Sequence, residues 1–98
     1  MVIIHGANSA AAEMAPFIEA LRPYTRAVAP SLPGHGGRAL PERMTVADFA
    51  GDVIAYMDRE GIARDVITGY SFGGLVALYI ARHYPQRVTA VVALATLE

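Results

Sequence analysis

Short apolar runs alternate with segments of helical period along the chain, and that alternation leaves few folds open. Val2–Ile4, Ala27–Ala29, Asp65–Thr68 with Gly69 and Tyr70, and Val88–Leu94 are brief and bounded by Gly, Pro or charge. Between them, Met14, Phe17, Ile18 and Leu21 follow i, i+3, i+4, i+7. Val46, Phe49, Ala50, Val53 and Met57 do the same, and Leu75, Leu78, Tyr79 and Arg82 repeat the spacing. These periods predict helices near 13–22, 46–60 and 72–83, set between four strands. Strands separated by single helices pair in parallel through right-handed crossovers. The expected fold class is therefore α/β, a three-layer sandwich around a four-stranded parallel sheet. Val88–Leu94 is apolar almost throughout, as suits a strand covered on both faces.

Local punctuation agrees with these elements. Thr45 with Asp48 three residues on predicts a capping box for the second helix, and Gly61 stands where a left-handed residue would end it. Pro16 belongs in the first turn of the first helix. Tyr84, placed before Pro85, closes the third. The connection Pro30–Met44, rich in Gly and Pro, is the only long irregular stretch, and loops of that length tend to be functional.

Composition serves mainly to exclude. Ninety-eight residues predict one domain, residues 1–98. Eight Lys and Arg against nine Asp and Glu leave no basic excess for a phosphate backbone, so no nucleic-acid partner is expected. The absence of cysteine removes disulfides and thiolate metal sites; no metal constellation and no cofactor motif stand out. No apolar run reaches the ~18 residues of a membrane span, and the opening Met1–Ile4 is too short for a signal peptide. A cytoplasmic location is expected. Hydrophobic residues make up 54% and charged ones only 17%, which implies apolar surface that meets something else.

The strongest chemical signal is Gly69-Tyr70-Ser71-Phe72-Gly73-Gly74, which follows a predicted strand and opens a predicted helix. G-x-S-x-G in that setting describes a nucleophile elbow, where Gly69 and Gly73 permit a sharp turn that thrusts the Ser71 hydroxyl outward. The Phe72 N–H, at the positive end of the helix, is placed to bind a developing oxyanion. His5-Gly6-Ala7-Asn8 ends the first strand and offers a second backbone donor; both loops lie at the edge where open α/β sheets bind ligands. The glycines of Leu32-Pro33-Gly34-His35-Gly36-Gly37 form no phosphate-loop pattern.

These three motifs in this order, His5-Gly6, Pro33-Gly34-His35-Gly36 and Gly69-Tyr70-Ser71-Phe72-Gly73-Gly74, resemble the α/β-hydrolase superfamily over essentially the whole chain, most closely its esterase and peroxidase-like branch. The resemblance implies Ser71 as nucleophile, with Ala7 and Phe72 offering oxyanion N–H groups. It implies a partial hydrolase fold with spatial strand order 2-1-3-4, and hydrolysis of a small-molecule ester, amide or activated C–C bond through an acyl-serine. Ser31 departs from the Asp usual at that point of the family's loop.

A serine hydroxyl needs a base, and the base an orienting acid. In the family both follow the nucleophile in sequence, yet no Asp and only His83 lie beyond Ser71 here. His83 falls near the far end of the third helix, His5 is usually structural in its motif, and His35 is expected to line a substrate cleft. Tyr70 is a second substrate-binding candidate, although packing is its commoner role. The chain is thus expected to be a truncated hydrolase core, inactive by itself. The rival expectation is a non-catalytic binding or assembly module that keeps the fold and its anion nest. With Ala27–Ala29 and Val88–Leu94 as sheet edges, the longer and uncharged Val88–Leu94 is expected to join a homodimer or larger assembly.

Overall fold

A computed structural model describes residues 1–6, 14–32 and 45–94 of the chain. Among them the element order is β1 (Val2–Ile4), α1 (Ala15–Leu21), α2 (Val46–Arg59), β2 (Asp65–Tyr70), α3 (Phe72–His83) and β3 (Val88–Leu94), with a 3₁₀ turn at Pro85–Arg87. The strands form one parallel sheet in the order β1-β2-β3. Val2 lies beside Ile67 and Ile4 beside Gly69, while Ile67 lies beside Val91 and Tyr70 beside Leu94.

Among the described residues the sheet has three strands where four were expected. Ala27–Ala29 reaches the outer edge of β1 but makes a single parallel bridge, Val28 with Val2. Val28 donates to the Met1 carbonyl at 2.9 Å, and Ile3 donates to the Val28 carbonyl at 2.8 Å. The next donor in a parallel ladder falls two residues on, at Pro30, which has no N–H. The pairing stops there.

Helix α2 is framed as its sequence dictates. The Thr45 hydroxyl accepts from the Asp48 N–H at 3.2 Å, and the Asp48 carboxylate accepts from the Thr45 N–H at 2.9 Å. At the other end Gly61 takes φ +71°, Gly61 donates to the Asp58 carbonyl and Ile62 to that of Met57, which is a Schellman closure. Phe49, Ala50, Val53, Ile54 and Met57 are buried and join Val2, Ile4, Ile67, Val76, Ala77 and Ile80 in one core between the sheet and helices α2 and α3.

Two apolar patterns read differently in three dimensions. In α3 the core-facing residues are Gly73, Gly74, Val76, Ala77 and Ile80, whereas Leu75 and Leu78 are exposed. The small residues bring the helix axis close to the sheet, and the leucine stripe points away. Strand β3 has no fully buried residue; Val92 and Leu94 are 41% and 46% exposed. Its inner face packs on the core through Val88 and Val91, and its other face is only partly covered. On that second face Ile3, Thr68, Tyr70 and Leu94 meet Met14 and Leu21 from the ends of α1 around a cavity of about 320 Å³.

Candidate active site

The site is built where β2 turns into α3. Ser71 is the one non-glycine residue with positive φ among the described residues, at φ 56° and ψ −120°. A side chain in that region is strained and persists only where its surroundings over-determine it. Here they do. A Cβ on Gly69 would run into the Gly73 carbonyl and lie 2.6 Å from the Gly74 nitrogen. A Cβ on Gly73 would run into the Ile4 carbonyl and lie 2.6 Å from that of His5. Both positions therefore admit only glycine, and the first turn of α3 rests directly on the backbone ends of β1 and β2.

Further bonds hold the turn. Ser71 N–H donates to the Leu94 carbonyl at 2.9 Å, tying it to the end of β3, and Gly74 N–H donates to the Ser71 carbonyl at 2.8 Å. Phe72 packs its ring edge-on against Phe49 of α2, with centroids 5.1 Å apart at 83°. No side chain caps α3, whose positive N-terminal end begins at the residue after Ser71.

Gly6 closes the site from the other side. A Cβ there would stand 3.4 Å from the Ser71 Cβ and 3.5 Å from the Tyr70 ring. His5, next to it, is completely buried. Its Nε2 accepts from the Leu32 N–H at 3.0 Å, and its Nδ1 lies 2.7 Å from the Gly6 carbonyl oxygen. That pairing was not legible in the sequence, because its partner is a backbone amide 27 residues away.

The structure thus brings Ser71, Phe72, Gly69, Gly73, Gly6 and His5 together. Tyr70 points to the opposite face of the sheet from α3, half exposed beside Leu94 and Thr68. His83 is exposed on the last turn of α3, stacked on Tyr79 with centroids 4.0 Å apart. Asp48 is engaged as a cap and Asp58 is paired with Arg87 at 2.8 Å. Ala7 and His35 lie outside the described residues, as does the Pro33–Gly37 segment. Among the described residues no group of three His, Asp or Glu side chains is placed to hold a metal, and no helix is long and apolar enough to cross a membrane.

A parallel α/β sheet whose central strand turns through a left-handed serine into a glycine-packed helix is the architecture of a large hydrolytic superfamily. The chain belongs to the alpha/beta hydrolase family, whose model matches residues 1–97. It is 33% identical over 96 residues to the pimeloyl-[acyl-carrier protein] methyl ester esterase of Vibrio campbellii, covering 98% of this chain and 36% of that protein. Among solved structures it is similar to a probable hydrolytic enzyme of Pseudomonas aeruginosa, at TM-score 0.89 and 27% identity over 99% of this chain and 33% of the other. The enol-lactonase of Burkholderia xenovorans superposes at TM-score 0.85 with 28% identity, over 92% of this chain and 35% of that one. The chain therefore spans about a third of the length of these relatives.

Proposed function

We propose that this chain is the nucleophile-bearing part of a serine hydrolase acting on small-molecule carboxylic esters or related acyl compounds. The observation that carries the reading is the positive φ of Ser71 at a strand–helix turn, beside Gly6 and at the N-terminus of α3. In the proposed reaction Ser71 Oγ attacks the carbonyl carbon while its proton passes to a base. The carbonyl oxygen becomes an oxyanion held by the Phe72 N–H and that of Ala7. Collapse of the tetrahedral intermediate breaks the bond to the leaving group, which takes the proton, and water then releases the acid from the acyl-serine. The similarity to a methyl ester esterase and an enol-lactonase supports an ester-like substrate class.

On this reading the described residues supply the nucleophile and not its base and acid. The sequence after Ser71 holds no Asp, and its one His, His83, sits on the last turn of α3 stacked on Tyr79. His35 is retained as a cleft-lining candidate, and the cysteine-free composition supports the cytoplasm as its location. The test is intact-mass analysis after a serine-reactive fluorophosphonate, with p-nitrophenyl acetate turnover measured alongside. Slow labelling of Ser71 over long incubation, absent from Ser71→Ala, is expected, because oxyanion donors retain some catalysis without the base, with turnover well below the roughly 1–10³ s⁻¹ of complete enzymes. Equal labelling of Ser71→Ala would overturn the nucleophile, and turnover in the full enzymatic range would overturn the missing base.

The same reading extends to assembly. Strand β3 is hydrogen-bonded on one side to β2, and beside it α3 exposes Leu75 and Leu78, at 38% and 45%. A twofold axis normal to the sheet would set β3 antiparallel to its own copy and bring the two α3 helices together on one face. This homodimer agrees with the low charge of the chain.

A further inference from the structure

Ser71 holds a backbone conformation that side chains rarely adopt, so the peptide that follows it must be held in place by its surroundings. That peptide joins Ser71 to Phe72. Its carbonyl and its N–H lie in one plane and point in opposite directions, so fixing one end of the plane aims the other. The Ser71 carbonyl is held by the Gly74 N–H at 2.8 Å. One hydrogen bond still lets the plane rock about the carbonyl, and Phe72 stands at the opposite end. Its ring meets that of Phe49 with centroids 5.1 Å apart and planes at 83°, the edge-to-face arrangement aromatic pairs prefer. Gly73 and Gly74 follow, and Leu75 is exposed, so Phe72 is the one large side chain of that first turn packed on the core. Phe49 is a firm partner. It is buried, and its N–H donates to the Thr45 carbonyl at 3.1 Å within the capped first turn of α2.

We propose that Phe49 is a positioning residue for the Phe72 N–H. The ring contact holds the Phe72 end of the peptide and the Gly74 bond holds the Ser71 end, so the plane between them keeps one direction. A donor to a developing oxyanion acts through being aimed beforehand, because a group that must reorient during the reaction loses much of its effect. Helix α2 thereby takes part in the site without touching substrate. The oxyanion role rests on the hydrolase reading of Ser71; the hold on the peptide plane does not.

Residual ¹H–¹⁵N dipolar couplings of the intact chain read the direction of the Phe72 N–H, and fluorophosphonate labelling of the same samples reads Ser71. Phe49→Leu and Phe49→Met keep an apolar side chain and remove the ring. Val53→Ala, a turn further along α2 and buried in the same core, costs stability but leaves both rings in place, and serves as the control. In the Phe49 variants the Phe72 coupling is expected to change while those of Val76, Ala77 and Ile80 hold. The slow Ser71 labelling is expected to fall about tenfold, since a misplaced group costs up to ~10²-fold. Val53→Ala is expected to keep the natural coupling and labelling rate well below its melting temperature. Phe72→Leu removes the other ring and is expected to match Phe49→Leu, with the double variant no slower than either. An unchanged Phe72 coupling without the Phe49 ring, an equal change in Val53→Ala, or additive losses in the double variant would overturn the positioning role. No labelling of the natural chain, with couplings that respond as stated, would refute the hydrolase and spare the hold on the peptide. Ser71 labelling with unresponsive couplings would do the opposite.

Discussion

Gly6 and Ser71 face each other across the end of the sheet, close enough that a methyl group on Gly6 would lie 3.4 Å from the Ser71 Cβ. That is ordinary van der Waals contact, so the space beside the serine is only about one methyl deep. Gly73, a turn away, has no such room, since a Cβ there would meet the Ile4 carbonyl and the His5 carbonyl at once. The two glycines therefore make a discriminating pair.

Gly6→Ala is expected to fold with stability unchanged or raised by a few tenths of a kcal/mol, because the alanine loses less chain entropy on folding. Its Ser71 labelling is expected to fall roughly tenfold or more, since a displaced reacting group costs up to ~10²-fold. Gly73→Ala is expected to lose at least ~1–3 kcal/mol, as backbone atoms cannot yield to the added methyl. Thermal melts and labelling rates on both variants check the contrast.

The Thr68 hydroxyl is buried without a hydrogen-bond partner, at the edge of the apolar cavity formed with Ile3, Met14 and Leu94. Valine has the same shape and removes the unmet polar group. Thr68→Val is expected to raise stability by ~1 kcal/mol in urea unfolding. A loss of similar size would show that the hydroxyl is satisfied in solution.

Tyr56 on α2 titrates above its ordinary value of 10.0, first because burial disfavours the phenolate and then because Glu60 repels it, with Arg26 and Arg59 opposing. The folded form holds the proton more tightly than the unfolded one. Its contribution to stability is thus fully present below pH 10.0 and is lost as pH rises through the raised value. The stability difference between the natural chain and Tyr56→Phe should be flat at neutral pH and should shift against the natural chain above that point. Urea melts across the alkaline range measure it.

The proposed dimer calls for a charge on β3 that spares the core. Val91 packs against the core cluster, so a lysine there would test folding as much as assembly. Val92 is 41% exposed, and Val92→Lys places its charge on the open face beside the edge. Light scattering should give a dimer mass for the natural chain at micromolar concentration and a monomer mass for the variant. A monodisperse monomer for the natural chain would remove the assembly reading.

Local sequence determined the helices and their ends. The Thr45–Asp48 box, the Gly61 closure and the stop before Pro85 each rest on hydrogen bonds or clashes within a few residues. The sharp turn at Ser71 was legible for the same reason, because a strand, two glycines and a helix sit side by side in sequence. Tertiary structure decided the rest. Whether Ala27–Ala29 became a strand depended on where Pro30 fell against Ile3, and the single bridge is the outcome. Which side of α3 faced inward depended on how closely Gly73 and Ala77 could approach the sheet, which turned Leu75 and Leu78 outward despite their hydrophobicity. The partner of His5 Nε2 is an amide 27 residues away. Periodicity and punctuation encode contacts along the chain, whereas hydrogen-bond partners distant in sequence are chosen only when packing sets two backbones side by side.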